Sequence, residues 1–374
     1  MEKKRVTYLD NIKILLTVLV IAHHGCQPYA GGGGEWIVKD SSKAFAMGNF
    51  LTVNMTFFMS AFFFISGYFV PKSKENRSVG TYIGKKAKRL LLPVVALVLC
   101  IVPIYNYIVY RADTTNTLSF IQFYIRKYWG EGLISYDHGW FLVSLFLYSL
   151  LYLLVEKPCK KIKGNLTVWK IVGFTAITAV LTFLIRLFYS IDTWVDIFGV
   201  IGIEPAHLPQ YLLWFFAGTC ACENDWLEQI TDKMGKIFSG IAAFTIFIIY
   251  FRRILPSVVI NTVYLIFPLY ETLMSVSIII TLIYLFNKYI SSQNAFFKSV
   301  SQNAFSMYIW HNLFVVSTQV VLCGIAISGY VKSAIVAAVS VSGAYLISVI
   351  TRKIARKTEE YGNKYFHPKK LSAK

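Results

Sequence analysis

The constraint that leaves this chain least freedom is the recurrence of apolar runs long enough to cross a bilayer. Ten can be read, at about 9–28, 50–70, 90–110, 139–156, 167–189, 207–222, 236–251, 263–287, 303–323 and 331–351. A helix needs roughly 20 mostly apolar residues to span ~30 Å of hydrocarbon, and there every backbone polar group must be satisfied inside the protein. The expected fold is therefore an all-α polytopic membrane protein of about ten transmembrane helices. Composition agrees, with 56% hydrophobic and 15% charged residues and a mean hydropathy of +0.55, far from an ordinary soluble domain. The connections are too short for a second domain, so 1–352 reads as one transmembrane unit and 353–374 as a basic cytoplasmic tail. No internal repeat of a transporter kind is seen. The first run has polar groups inside it and no small-residue cleavage site, so it reads as a span rather than a signal peptide.

The net charge of +18 needs no nucleic-acid partner. It gathers in alternate loops: Lys3 to Arg5, Lys72 to Arg89, Lys157 to Lys163 and Arg352 to Lys370. The positive-inside rule makes these cytoplasmic, with both termini inside and the bilayer as the anionic partner. Residues 190–206 carry acids and no Lys or Arg, as an outer loop should. Arg252 and Arg253 are the misfit, in a loop expected outside. Six cysteines show no disulfide spacing, and Cys220-x-Cys222 reads as small membrane-facing thiols rather than a metal pair. No metal is expected. Monomer and homodimer both remain open.

Polar residues inside the runs carry the chemistry, because ionisable groups in a span are functional candidates by default. Lys13 and His24 lie eleven residues apart in the first run, on nearly one helix face and roughly 16 Å apart along the axis. His23 points about 100° away. His138 and His207 fall at the outer rim, with Trp140 at interface level, and His311 lies about eight residues, or roughly 12 Å, into the ninth run. Only His367 is in the tail. In the second run Ser66-Gly67 permits close helix approach. Lys86 and Arg89 share a helix face at the basic side, where Arg suits bidentate phosphate recognition and Lys supplies a point charge. A basic inner mouth and a histidine-rich outer half suggest a phosphorylated donor entering from the cytosol, with acid–base chemistry farther out.

These residues also carry a resemblance. Leu9-Asp10 followed by Lys13-x10-His24, the run Phe62 to Phe69 with Ser66-Gly67-Tyr68, Lys86-x2-Arg89-Leu90-x2-Pro93, His138-Gly139-Trp140-Phe141-Leu142 and Phe305-Ser306-Met307-Tyr308-Ile309-Trp310-His311 follow one another in order. Together they resemble the membrane acyltransferase-3 family, in a branch like the glucan succinyltransferases of the bacterial envelope. The resemblance spans residues 9 to 311. Lysine stands where the family has arginine at 13 and at 86, which keeps charge but not the forked geometry.

The resemblance implies an acyl-CoA-dependent O-acyltransferase of the bacterial cell membrane. It would move an acetyl or succinyl group from cytosolic acyl-CoA to a hydroxyl of an envelope or extracellular glycan, with no permanently bound cofactor. His24 would be general base, Tyr308 and His311 would orient His24 or the oxyanion, Lys13, Lys86 and Arg89 would hold the CoA phosphates, and His138, Trp140 and His207 would line the acceptor side. Direct transfer and an acyl-histidine intermediate both stay open. So do two other readings of the same polar interior: an exporter of sugars or lipid-linked glycans, and a sensory domain without chemistry.

Overall fold

The computed structural model describes residues 6–31, 36–197 and 201–366; Lys3 to Arg5, His367 and the rest of the tail from 367 lie outside the described residues. Ten main helices follow the ten runs: α1 Thr7–Cys26, α2 Met47–Tyr68, α3 Val79–Ala112, α4 Trp140–Lys161, α5 Val168–Arg186, α6 Leu208–Glu223, α7 Asp232–Phe251, α8 Phe267–Tyr289, α9 Ala295–Leu322 and α10 Gly329–Phe366. Among the described residues nine are long and apolar enough to cross a membrane, and the chain is an all-α polytopic membrane protein. The other, α6, has 16 residues, a rise of roughly 24 Å. A two-stranded ribbon, β1 Val195–Ile197 antiparallel to β2 Ile201–Ile203, precedes it and is absent from the sequence expectation. Arg252 and Arg253 end α7 in a turn before a short helix, Ser257–Leu265, which is separate from α8.

Helix starts differ most from expectation. The third span begins at Val79 rather than near 90, and the ninth at Ala295 rather than near 303. Hydropathy marks where hydrocarbon begins, whereas the helix begins where a side chain can cap it. Ser78, Thr167, Thr231 and Asn294 each accept the N–H three residues on, from Thr81, Lys170, Met234 and Phe297. All four caps sit at the ends assigned to the basic, inner side. The shift matters for the site, because Ala295 to His311 is roughly 24 Å of helix, twice the expected depth. At its other end α10 runs unbroken to Phe366, through the first part of the expected tail.

Two close approaches fix the bundle. A Cβ on Gly67 of α2 would meet the Phe215 carbonyl of α6, and one on Gly218 of α6 would meet the Phe64 carbonyl of α2. The glycines at this crossing let two backbones touch. At the end assigned to the outside, the connection from α1 to α2 is pinned by an ion pair between Asp40 and Lys332 of α10, 2.7 Å apart with side chains 1% and 0% exposed. Burial opposes the Asp40 charge, but bonds from Lys332 and Ser42 outweigh it and hold the carboxyl below its ordinary range. The pair is therefore at full strength above an ordinary Asp pKa of about 3.9 and is lost as pH falls through the lowered value. The Cys220-x-Cys222 reading is corrected: both thiols are buried in the protein, not lipid-facing, because α6 is buried on every side from Gly218 to Cys222.

Two outcomes follow for unfolding measured in detergent. Lys332→Ala strands a buried carboxylate and costs about 3–5 kcal/mol, while the paired replacement Asp40→Leu with Lys332→Met loses much less. Gly218→Ala costs about 1–3 kcal/mol by forcing α2 and α6 apart, whereas Gly48→Ala, with no atom within 4 Å of the new Cβ, is neutral.

Candidate active site

Three imidazoles converge in the half of the bundle away from Lys13. His24 comes from the last turn of α1, His311 from the middle of α9, and His138 from a 3-10 turn, Asp137–Gly139, that leads into α4. Ring centroids lie 5.3 Å apart for His24 and His311 and 4.7 Å for His138 and His311. His23 turns away as expected and stacks on Phe58 of α2 at 5.2 Å.

The hydrogen bonds assign a state to each ring. His24 Nδ1 lies 2.7 Å from the amide oxygen of Gln27. An amide oxygen only accepts, so Nδ1 carries a proton, and in the neutral ring Nε2 keeps its lone pair. The ring is clamped from two further sides. Trp36 stacks on it at 5.0 Å and 17°, and Gln319 of α9 joins both residues by accepting from Trp36 Nε1 (2.7 Å) and donating to the His24 carbonyl (2.8 Å). His311 donates from Nδ1 to the Tyr308 carbonyl at 2.6 Å, and its Nε2 is buried with no protein partner. In its neutral form this ring too has an unused Nε2 lone pair.

His138 is different, because both of its nitrogens are engaged. Nε2 donates to the Ile309 carbonyl at 3.1 Å, and Nδ1 lies 3.1 Å from the Asn312 amide nitrogen and 3.2 Å from Asp137 Oδ2. Neutral, Nδ1 accepts from Asn312; protonated, it donates to Asp137. Asn312 also donates to Asp137 Oδ2 at 2.8 Å, and the Tyr105 hydroxyl donates to the same oxygen. Asp137 itself has φ of +40°, a conformation Asp tolerates at modest cost when its surroundings hold it. The Tyr308 hydroxyl donates to the His138 carbonyl. Two expectations change here. His138 offers no free polar atom to an acceptor, and Tyr308 positions the 137–139 turn rather than His24 or an oxyanion.

The remaining expected residues lie apart from the three rings. His207 is buried at the outer end of a second polar cluster. Its Nδ1 is 2.9 Å from Glu204 and Nε2 is 3.6 Å from Glu271, which pairs with Arg186 at 2.6 Å. An aromatic wall joins this cluster to the first: His207 stacks on Tyr211, Tyr211 on Trp140 at 5.8 Å, and Trp140 meets the exposed Trp194 edge-on. At the opposite end of α1 from His24, Lys13 is half-buried, 2.6 Å from Asp10 Oδ1 and over the Phe69 ring. Lys86 lies over the Tyr82 ring, and Arg89 is exposed one turn on.

The sequence reading missed Gln27, Trp36, Asn312, Gln319 and Tyr105. Part of that was detectable: His311, Asn312 and Gln319 lie three, four and eleven residues after Tyr308, which puts all four on one helix face, and a polar stripe in an apolar helix is a site signal. Trp36 carried none, since only the folded loop brings it to His24.

Comparison with known proteins bears on the same residues. The family model described as an acyltransferase domain, Acyl_transf_3, matches residues 6–353, and so includes all three imidazoles and both polar clusters. No curated protein and no solved structure matches. By the extent of that match, the chain belongs to the acyltransferase-3 family and is a membrane acyltransferase.

Proposed function

We propose that this acyltransferase moves an acetyl or succinyl group from cytosolic acyl-CoA to a hydroxyl of an envelope or extracellular glycan, with His24 as general base. The observation that carries the reading is the pairing of two imidazoles, His24 and His311, each held through Nδ1 by an acceptor oxygen, which in the neutral ring leaves the Nε2 lone pair for a proton. That is the protonation state a base needs before reaction. In this reading His24 Nε2 removes the acceptor hydroxyl proton as its oxygen attacks the thioester carbonyl. A C–O bond forms and the carbonyl electron pair moves to oxygen. As it returns the C–S bond breaks, and the thiolate takes the proton back from His24. Meanwhile the Gln27 oxygen faces the other N–H of the imidazolium, and the His311 lone pair stands beside it.

The charge distribution supports sides for the two substrates. Lys13, Lys86 and Arg89 lie toward the basic end, suited to CoA phosphates. Lys13 would exchange its Asp10 partner for phosphate on donor arrival. Trp140 and the exposed Trp194 present aromatic faces toward the outer side, suited to the apolar face of a sugar ring; His207, behind Tyr211, would support that wall. We place the protein in a bacterial cell membrane with both termini in the cytosol. Membership of an acyltransferase family favours this reading over an exporter or a sensor, which have no comparable support.

The test is transfer from labelled acyl-CoA, supplied on the cytosolic face of proteoliposomes, to a glycan acceptor. His24→Ala, shown to be folded and inserted, is expected to lose about 10²–10⁴-fold in kcat; parental turnover would sink the assignment. Gln27→Leu removes one hydrogen bond from the base and lowers kcat by up to about tenfold, with KM for acyl-CoA unchanged.

A further inference from the structure

A cavity of about 310 Å³ opens at the inner ends of α7 and α8, lined by Leu227, Ile230, Asp232, Ile283, Tyr284, Asn287 and Lys288. That volume is at the lower end of small-molecule sites, which pair apolar walls with a few convergent polar groups. Nothing in the acyl-transfer chemistry above uses it. Its level is fixed by α1, because Asn11 donates to the carbonyls of Ile290 (2.6 Å) and Ser292 (3.0 Å), just past the end of α8. It therefore sits at the end of the bundle that carries Lys13.

We infer that this cavity binds the adenine nucleotide end of the acyl-CoA donor, a subsite that rests on the acyl-CoA reading above. The chemistry of the walls selects the ligand. Leu227, Ile230 and Ile283 supply flat apolar contact. The Tyr284 ring is seated against Gly235, where any Cβ would strike it, so glycine at 235 is what lets this ring line the cavity. Asn287 is exposed, and among the described residues its amide has no hydrogen bond within the protein. An unpaired Asn amide beside apolar walls is suited to the donor–acceptor edge of adenine. Phosphate has its own partners at the rim: Lys288, reaching Asp232 at 2.6 Å and the Tyr284 hydroxyl at 3.2 Å, and Lys236, near enough to Asp232 to act on its charge. The first turn of α7, capped by Thr231, adds its free N–H groups.

The geometry also suits one molecule serving both ends. From Asn11 to His24 is thirteen residues of α1, about 20 Å. The pantetheine arm and diphosphate of CoA, summed over standard bond lengths, extend on the order of 20 Å. A nucleotide in this cavity thus leaves the thioester at the level of His24.

The test compares two donors and one ligand on the full protein in proteoliposomes. Asn287→Ala and Lys288→Ala each raise KM for acyl-CoA roughly tenfold with kcat unchanged. With acyl-pantetheine, which lacks the nucleotide, both variants match the parent, and Lys288→Arg restores most of the acyl-CoA affinity. Direct binding of adenosine 3′,5′-bisphosphate, followed calorimetrically, falls in step. Unchanged KM and binding in both variants would overturn the subsite while leaving the acyl-CoA reading intact. Nucleotide binding that depends on Asn287, in a protein that turns over no acyl-CoA, would keep the subsite and sink that reading. Binding of phosphatidylglycerol vesicles that is lost in the variants, without nucleotide binding, would assign the cavity to lipid and overturn the proposal.

Discussion

The site depends on one latch between the turn that starts α4 and the middle of α9. Tyr308 donates its hydroxyl to the His138 carbonyl, His138 returns a bond to the Ile309 carbonyl, and Asn312 ties down Asp137. In hydrocarbon a broken backbone segment survives only where protein satisfies its polar groups. Here the irregular 137–139 turn borrows its partners from α9, and in the same few residues the Tyr308 carbonyl fixes the His311 tautomer. Backbone integrity and the state of a candidate catalytic ring are thus one set of bonds. The latch also rests on α3, whose π-turn at Leu97–Ile101 lies under Gly139; its Val98 and Leu99 carbonyls accept from the hydroxyls of Tyr128 and Tyr124.

Much of this was legible in the sequence, for reasons that can be named. Ten helices follow from hydropathy because the bilayer imposes length. His24 and His311 stood out because an imidazole in an apolar run is expensive, and Gly67 because a small residue among aromatics signals a crossing. What stayed hidden depends on closure. Trp36 reaches Gln319 across 283 positions, a pairing no local pattern encodes. His207 was grouped with the acceptor side because it lies at the rim, yet rim position does not say which gap between helices it enters; Arg186 and Glu271 decide that. The starts of α3 and α9 were missed because Ser78 and Asn294 act through a single bond each and leave no mark on hydropathy.

The two polar clusters divide labour across an aromatic wall. Around His24, the His311 ring keeps a buried Nε2 with no protein partner, while His138 and Asp137 are tied into the latch. Arg186 and Glu271 form an ion pair with His207 packed beside Glu271, which holds α5, α8 and the 205–207 turn together but leaves less to react. Trp140 and Tyr211 stand between them. A binding surface built on that wall has a rigid back, since its rings rest on an ion-pair cluster rather than on lipid.

The contact between Lys13 and Asp10 has a consequence for what can enter the inner mouth. The cation there is stored as a neutral pair, so an arriving anion is not captured by bare charge but must outcompete a carboxylate three residues away. A monovalent ion such as chloride gains little from that exchange. A group with two or more charges, able to hold Lys13 and reach a second cation at once, gains much more. If the donor enters here as proposed, the mouth would filter by valence, since a ligand must bring more charge to Lys13 than the aspartate it displaces.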